Sequence, residues 1–288
     1  MPSLGDSRWR RAAWVVLTAV VNPAPADCDG GRHDAAKGQA TIRIETTANG
    51  VRFGVWNDAG EPESPALFVF ASTIEGTLGE PYYRQCGNVL AKAGYVCVSL
   101  DLPGHGSAKR EDEREGMAGW RDRTDAGEDF VEPFCREASA VLDHLIAKKT
   151  VDSARVAACG TSRGGFMALH WAAREARVQC AAAFAPVTHL GKLREFQGAE
   201  EDALVQSLSL RRAAEVLAGR AVWLVIGDQD ERVGTDAAIE FSRAVSAASV
   251  RHKRPSRIEL LVLPEPRGHT TPVGASERAA AWMLSQMK

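Results

Sequence analysis

Arg155-Val-Ala-Ala-Cys-Gly-Thr-Ser-Arg-Gly-Gly-Phe-Met-Ala-Leu-His-Trp171 is the stretch whose reading decides the fold. An apolar strand-like run ends at Gly160, Ser162 follows at the turn, and an apolar helix-like run begins at once. A strand that turns sharply into a helix crowds the backbone around the turn residue, so positions two before and two after it tolerate little beyond glycine. Gly160 and Gly164 occupy those positions, and Gly165 follows. The serine is left exposed at a helix N-terminus. This is the Gly-x-Ser-x-Gly pattern of a nucleophile elbow, with the strand before and the helix after that the motif requires. The bland alternative is a glycine-rich strand-helix turn carrying an incidental serine.

Outward from that turn the chain alternates between strand and helix patterns. Residues 41–47 and 51–57 read as a β-hairpin about Ala48-Asn-Gly50. Ala66–Ala71 and Tyr95–Leu100 are continuous apolar runs, the mark of strands buried on both faces. Between them, Pro81–Ala93 reads as a helix closed by Gly94. Residues 107–129 are densely charged and read as a surface excursion, while Phe130–Lys148 has the apolar spacing of a helix. After the elbow helix come strands at 178–185, 221–226 and 258–263, with helices at 208–217, 236–248 and 275–287. Residues 188–206 look irregular. Such alternation implies a mainly parallel sheet of about eight strands covered on both faces, with its ligand site at the carboxyl ends of the strands.

A serine hydroxyl needs a base to take its proton and an anion to orient that base. Beyond the strand 221–226 lies Gly227-Asp-Gln-Asp-Glu-Arg-Val233, and beyond 258–263 lies Pro264-Glu-Pro-Arg-Gly-His269. The order serine, acid, histidine is that of α/β-hydrolases. At this stage Asp228 and Asp230 both stand as acids, Asp228 with the plainer role of a turn cap.

With these residues in place, the chain from about 41 to 288 resembles an α/β-hydrolase of the dienelactone-hydrolase and prolyl-oligopeptidase-like branch. The resemblance rests on Asp101-Leu-Pro-Gly-His-Gly106, Gly160-Thr-Ser-Arg-Gly-Gly165, Gly227-x-x-Asp230-x-x-Val233 and Gly268-His269. It implies a single hydrolase domain over 27–288 without a large lid. It selects Asp230, three residues beyond the strand glycine, as the acid. It implies a catalytic set of Ser162, Asp230 and His269. Family members often carry His-Gly after the third strand; this chain has Ala71-Ser72-Thr73 there. By position, the backbone amides of Thr73 and Arg163 are then the expected oxyanion hole. His105 is expected to shape the site's wall, and the Arg163 side chain to bind local acceptors, with an anionic substrate as its rival partner. His144 and His170 are expected to pack within helices, and His33, His189 and His252 carry no expected role in the chemistry.

Composition narrows the rest. The chain has 288 residues, 45% hydrophobic and 25% charged, with a net charge of −2. That balance suits a soluble globular protein and argues against a polyanion partner, as does the lack of a basic patch with interleaved aromatics. No histidine pair has metal-ligand spacing beside a carboxylate, so neither a metal nor a cofactor is expected. Arg8-Trp-Arg-Arg11, the apolar run Ala12–Val21 and Ala24-Pro-Ala26 follow the order of a secretory signal, giving a leader over 1–26 and export, with a cytoplasmic location if the segment is retained. The apolar run is too short to span a bilayer. Cys97, Cys159 and Cys180 lie in strand-like runs, whereas Cys28, Cys86 and Cys135 are free to pair in an oxidised protein. The expected activity is hydrolysis of short-chain or small carboxylic esters. A prolyl-oligopeptidase-like serine peptidase and a non-enzymatic ligand-binding protein on the same fold are the alternatives.

Overall fold

The computed structural model describes residues 41–58 and 60–287. The leader expected over 1–26 and Cys28 lie outside the described residues. Eight strands form one sheet: β1 Arg43–Thr46, β2 Arg52–Trp56, β3 Ser64–Phe70, β4 Val96–Ser99, β5 Val151–Thr161, β6 Val178–Phe184, β7 Ala221–Gly227 and β8 Ile258–Leu263. Their spatial order is β1-β2-β4-β3-β5-β6-β7-β8. The hairpin β1-β2 and the pair β2-β4 are antiparallel, and every other pairing is parallel. The sheet is open, ending at β1 and β8. This is the mainly parallel, doubly covered sheet that the strand-helix alternation implied, in the α/β-hydrolase arrangement that the resemblance implied.

The helices are α1 Ile74–Gly79, α2 Pro81–Arg84, α3 Gly87–Leu90, α4 Met117–Asp125, α5 Val131–Ala147, α6 Arg163–Arg174, α7 Ala203–Ser207, α8 Leu210–Leu217, α9 Thr235–Arg251 and α10 Ala275–Gln286. Both faces of the sheet are covered because alternate side chains of a strand point to opposite faces. On β3, Phe68 and Phe70 join the larger core with α5, α6, α8 and α9. Leu67 and Val69 join the second core with α1, α3 and α10. Continuous apolar strands are what such double coverage demands. No helix among the described residues is long and apolar enough to cross a membrane.

Three expectations need correction. Residues 81–93 do not make one helix: the chain breaks at Gln85, whose φ is +49°, into α2, α3 and a 3-10 turn at Ala91–Ala93. The charged excursion 107–129 is more than surface. Its Trp120 is fully buried, sits 4.7 Å from the Phe130 ring and donates Nε1–H to the Pro103 carbonyl at 2.6 Å. Ion pairs Arg123–Glu113, Arg114–Asp122, Arg110–Glu128 and Arg121–Asp125 tie its charges together. Cys86 and Cys135, expected to be free to pair, are buried free thiols in the two different cores, so the sheet stands between them.

Candidate active site

The turn after β5 is as tight as its sequence requires. Ser162 has φ +56° and ψ −117°, a conformation rare for any residue but glycine. A Cβ on Gly164 would lie 1.8 Å from the Phe70 carbonyl oxygen, and one on Gly160 would lie 2.2 Å from the Gly164 carbonyl carbon. Neither glycine has a substitute. Ser162 N–H donates to the Phe184 carbonyl at 2.8 Å, and the Ser162 carbonyl accepts from Val187 at 3.1 Å. One bond to the end of β6 and one to the segment just after it therefore hold the strained residue, whose conformation costs on the order of 1–3 kcal/mol.

The loops after β7 and β8 bring the other two groups to this turn. His269 Nε2 is 3.0 Å from Ser162 Oγ, and His269 Nδ1 is 2.8 Å from Asp230 Oδ2. The Asp230 side chain is fully buried. Its Oδ1 accepts backbone N–H groups from Arg232 (3.1 Å) and Val233 (3.2 Å), which fixes the carboxylate before it meets the ring. With Nδ1–H donated to Asp230, the Nε2 lone pair faces the hydroxyl. That geometry can take a proton from Ser162 and stabilise the imidazolium that results. Asp228 is exposed and points elsewhere, its Oδ1 accepting the Glu265 N–H at 2.9 Å.

Beside the elbow, β3 leads into α1 through Ala71-Ser72-Thr73. Ser72 N–H is committed to Thr77 Oγ1 at 3.2 Å, and Ile74 N–H to Asp101 Oδ1 at 2.7 Å. The Thr73 N–H between them donates to no protein group among the described residues. The Thr73 side chain caps α1 by accepting the Gly76 N–H at 3.0 Å. As the first residue of α6, Arg163 has no intrahelical acceptor for its own N–H. Asp101, nearly buried, also accepts from Arg52 and from Ser107 N–H and Oγ–H. It thereby ties the loop after β4 to the amides at the start of α1.

His105 is buried and bonded through Nδ1 to the Pro103 carbonyl at 3.0 Å; burial, then the nearby Arg163 charge, lower its pKa. It makes no hydrogen bond to Ser162. The Arg163 side chain donates Nε–H to the Ala71 carbonyl at 3.0 Å. His144 and His170 pack in α5 and α6 as expected. The excursion and the segment after β6 meet where Arg121 donates to the Gln197 carbonyl at 3.0 Å.

One residue of this site was missed from the sequence. Gln85, at the break between α2 and α3, is 2% exposed. Its Nε2 donates to Thr161 Oγ1 (3.0 Å) and Thr271 Oγ1 (2.9 Å), and its Oε1 accepts from Ser276 Oγ (2.6 Å). It bridges the residue before Ser162 and the residue two beyond His269. Tyr82 adds a second clamp, its hydroxyl accepting the Thr271 N–H at 3.1 Å. A lone glutamine inside a helix-like run gives no sequence signal for such a role.

The model of the prolyl oligopeptidase family matches residues 81–286, most of the chain. This chain belongs to the prolyl oligopeptidase family. As a member of that family it is a serine hydrolase. The match includes the elbow and the loops of Asp230 and His269 but begins after Thr73. Solved structures with the same fold include acetyl xylan esterase 1 of Thermoanaerobacterium sp. JW/SL YS485, 18% identical over 87% of this chain and 89% of that one, with a TM-score of 0.60. An esterase of Pyrococcus furiosus is 16% identical over 87% and 93%, also at 0.60. A putative dipeptidyl aminopeptidase IV of Bacteroides ovatus ATCC 8483 is 15% identical at 0.63, over 88% of this chain but 37% of the peptidase. At these identities the likeness concerns the fold. No curated protein matches the sequence.

Proposed function

We propose that this member of the prolyl oligopeptidase family is a carboxylesterase that cleaves short-chain or small carboxylic esters through an acyl-enzyme. Ser162 attacks the ester carbonyl as His269 removes its proton. Asp230 orients the imidazole and balances its charge. The amides of Thr73 and Arg163 receive the oxyanion. His269 then protonates the leaving alcohol, and water repeats the sequence on the acyl-enzyme. The observation that carries this reading is the continuous relay from Asp230 through His269 to Ser162, at 2.8 and 3.0 Å. Two free amides beside it give the charge that develops on the carbonyl oxygen a place to go.

Chain-length preference follows from what covers the site. Residues 186–220, where lipases commonly insert a lid, form only short turns, α7 and α8, and the apolar face of α8 is packed into the core. An open site rewards small acyl groups, because it offers little apolar area to a long chain. Acetyl to butyryl p-nitrophenyl esters are expected to show higher kcat/KM than dodecanoyl esters, without a jump in rate at the emulsion point. A maximum at twelve carbons or beyond with such a jump rejects the open-site esterase.

The family also contains peptidases, which favours serine peptidase activity as the second reading. Aminoacyl anilides separate the two: turnover of anilides above that of p-nitrophenyl butyrate supports the peptidase. Export is proposed as well, from the leader-like residues 1–26. Intact mass of the protein recovered from an exporting host tests it, with a start near Asp27 expected.

A further inference from the structure

Arg163 presents a guanidinium that the protein leaves almost unused. The residue follows Ser162 directly and opens α6. Its Nε–H donates to the Ala71 carbonyl at 3.0 Å, which holds the planar group against the end of β3, one turn of chain from Thr73. Neither Nη nitrogen has a hydrogen-bond partner among the described residues, and neither is sealed from solvent. Among the described residues no carboxylate oxygen lies within 4.0 Å of it. A guanidinium offers five N–H donors in a fixed fork, so four here face no protein acceptor.

Comparable arginines place at least one Nη on a protein acceptor, although the other Nη of Arg232 is buried without a partner among the described residues. Arg123 forms paired bonds to Glu113 at 2.7 Å, and Arg232 grips both oxygens of Glu195 at 2.7 and 2.8 Å. Arg84 and Arg220 lack a carboxylate, but their Nη groups reach main-chain carbonyls. Arg232 already occupies Glu195, one of the two acids whose charge reaches Arg163. Glu115 is exposed and farther than ion-pair distance. A half-buried cation without a counter-ion loses hydration and recovers little from the protein, and burial accordingly lowers the Arg163 pKa. An incoming anion recovers that loss.

We propose that Arg163 binds a carboxylate of the substrate, so that the preferred substrates are esters carrying an anionic group a few bonds from the scissile carbonyl. This rests on the esterase reading and narrows it. The Nε anchor fixes the plane of the fork before the substrate arrives, and the two Nη groups match the spacing of a carboxylate. A charge-assisted hydrogen bond of this kind is worth about 1.5–3 kcal/mol, which is roughly 10- to 150-fold in kcat/KM.

The experiment compares p-nitrophenyl hemisuccinate with p-nitrophenyl butyrate, which present similar length with and without the carboxylate. In the wild type the ratio of kcat/KM values is expected to favour hemisuccinate by about tenfold or more. Arg163→Met is expected to bring the ratio to parity or below, and Arg163→Lys to keep a preference. Reading a ratio removes any general loss from the missing Ala71 anchor. Should the methionine variant not fold, the wild type still decides: succinate is expected to inhibit butyrate hydrolysis competitively, and succinamide not. Turnover of butyrate with no hemisuccinate preference, or a preference kept in Arg163→Met, overturns the inference and leaves the esterase standing. Inertness to both esters overturns both.

Discussion

Ser162 and its two partners are defined by bonds that single substitutions can test. In the proposed mechanism Ser162→Ala removes the nucleophile, and kcat is expected to fall about 10⁶-fold. Asp230→Asn keeps the size of the group but withdraws the charge that sets the His269 tautomer, and kcat is expected to fall roughly 10⁴-fold with KM little changed. Double changes within the set are expected to add little, because the three act as a unit. Asp228→Ala loses one hydrogen bond to the Glu265 N–H, at a cost of about 1 kcal/mol of stability, and leaves turnover near wild type. Steady-state kinetics on p-nitrophenyl butyrate reads all of these. If Asp228→Ala is the crippled enzyme and Asp230→Asn the healthy one, the acid has been misassigned.

At the scale of elements, the site depends on whether the loop after β8 stays in register with the turn after β5. No hydrogen bond within either element secures that register. Gln85 does so across sequence separations of 76, 186 and 191 residues, at the price of a positive φ and a broken helix. Replacing it by methionine keeps the volume and removes three bonds. Because small displacements of reacting groups weigh heavily on rate, Gln85→Met is expected to lower kcat by about 10- to 100-fold. KM should change much less. A folded, soluble Gln85→Met enzyme with kcat within twofold of wild type would show that other contacts hold the register. This is also where the helix expected over 81–93 failed: apolar spacing describes the segment's packing, and a side chain buried against Thr161 and Thr271 decides where it breaks.

For the whole molecule, buried ionisable groups set the response to acid. His170 is enclosed in α6, with Nε2–H donated to the Leu208 carbonyl at 2.9 Å and Nδ1 accepting from Arg174 at 3.1 Å. Burial above all, and the Arg174 charge, push its pKa down to about 3 from an ordinary 6.5. Below pH 6.5 the unfolded chain binds a proton there that the native state refuses, so stability falls as pH drops from 6.5 toward 3. The slope is at most about 1.4 kcal/mol per pH unit. His105 and His189, also lowered by burial, act in the same direction. Glu175 joins further down. Its hydrogen bonds from Arg177 outweigh burial and hold its pKa down to about 2 from 4.5, so its contribution is present above pH 4.5 and is lost between 4.5 and 2. Thermal melts should show Tm falling from pH 6.5 and falling faster below 4.5. His170→Gln is expected to flatten the upper part of that decline and Glu175→Gln the lower. A wild-type Tm constant from pH 6.5 to 4.5 is the result that contradicts this account.

Sequence alone determined the strand-helix alternation, the doubly covered sheet and the serine turn. Each depends on residue type at short range: apolar runs demand two buried faces, and Gly160 and Gly164 are required wherever Ser162 is turned so sharply. It also put forward Ser162, His269 and an acid from the loop after β7, because residues just beyond parallel strands gather at one sheet edge, and the family resemblance chose Asp230 as that acid. Asp228 and Asp230 remained open on the residues alone. The tertiary structure separates them by burying one carboxylate against His269 and leaving the other on a neighbouring amide. Only the tertiary structure placed Gln85, buried Trp120 under a charged segment and parted Cys86 from Cys135. It alone showed that Arg163 keeps its fork empty. These depend on contacts between residues far apart in the chain, where the partner rather than the residue type decides what a side chain does.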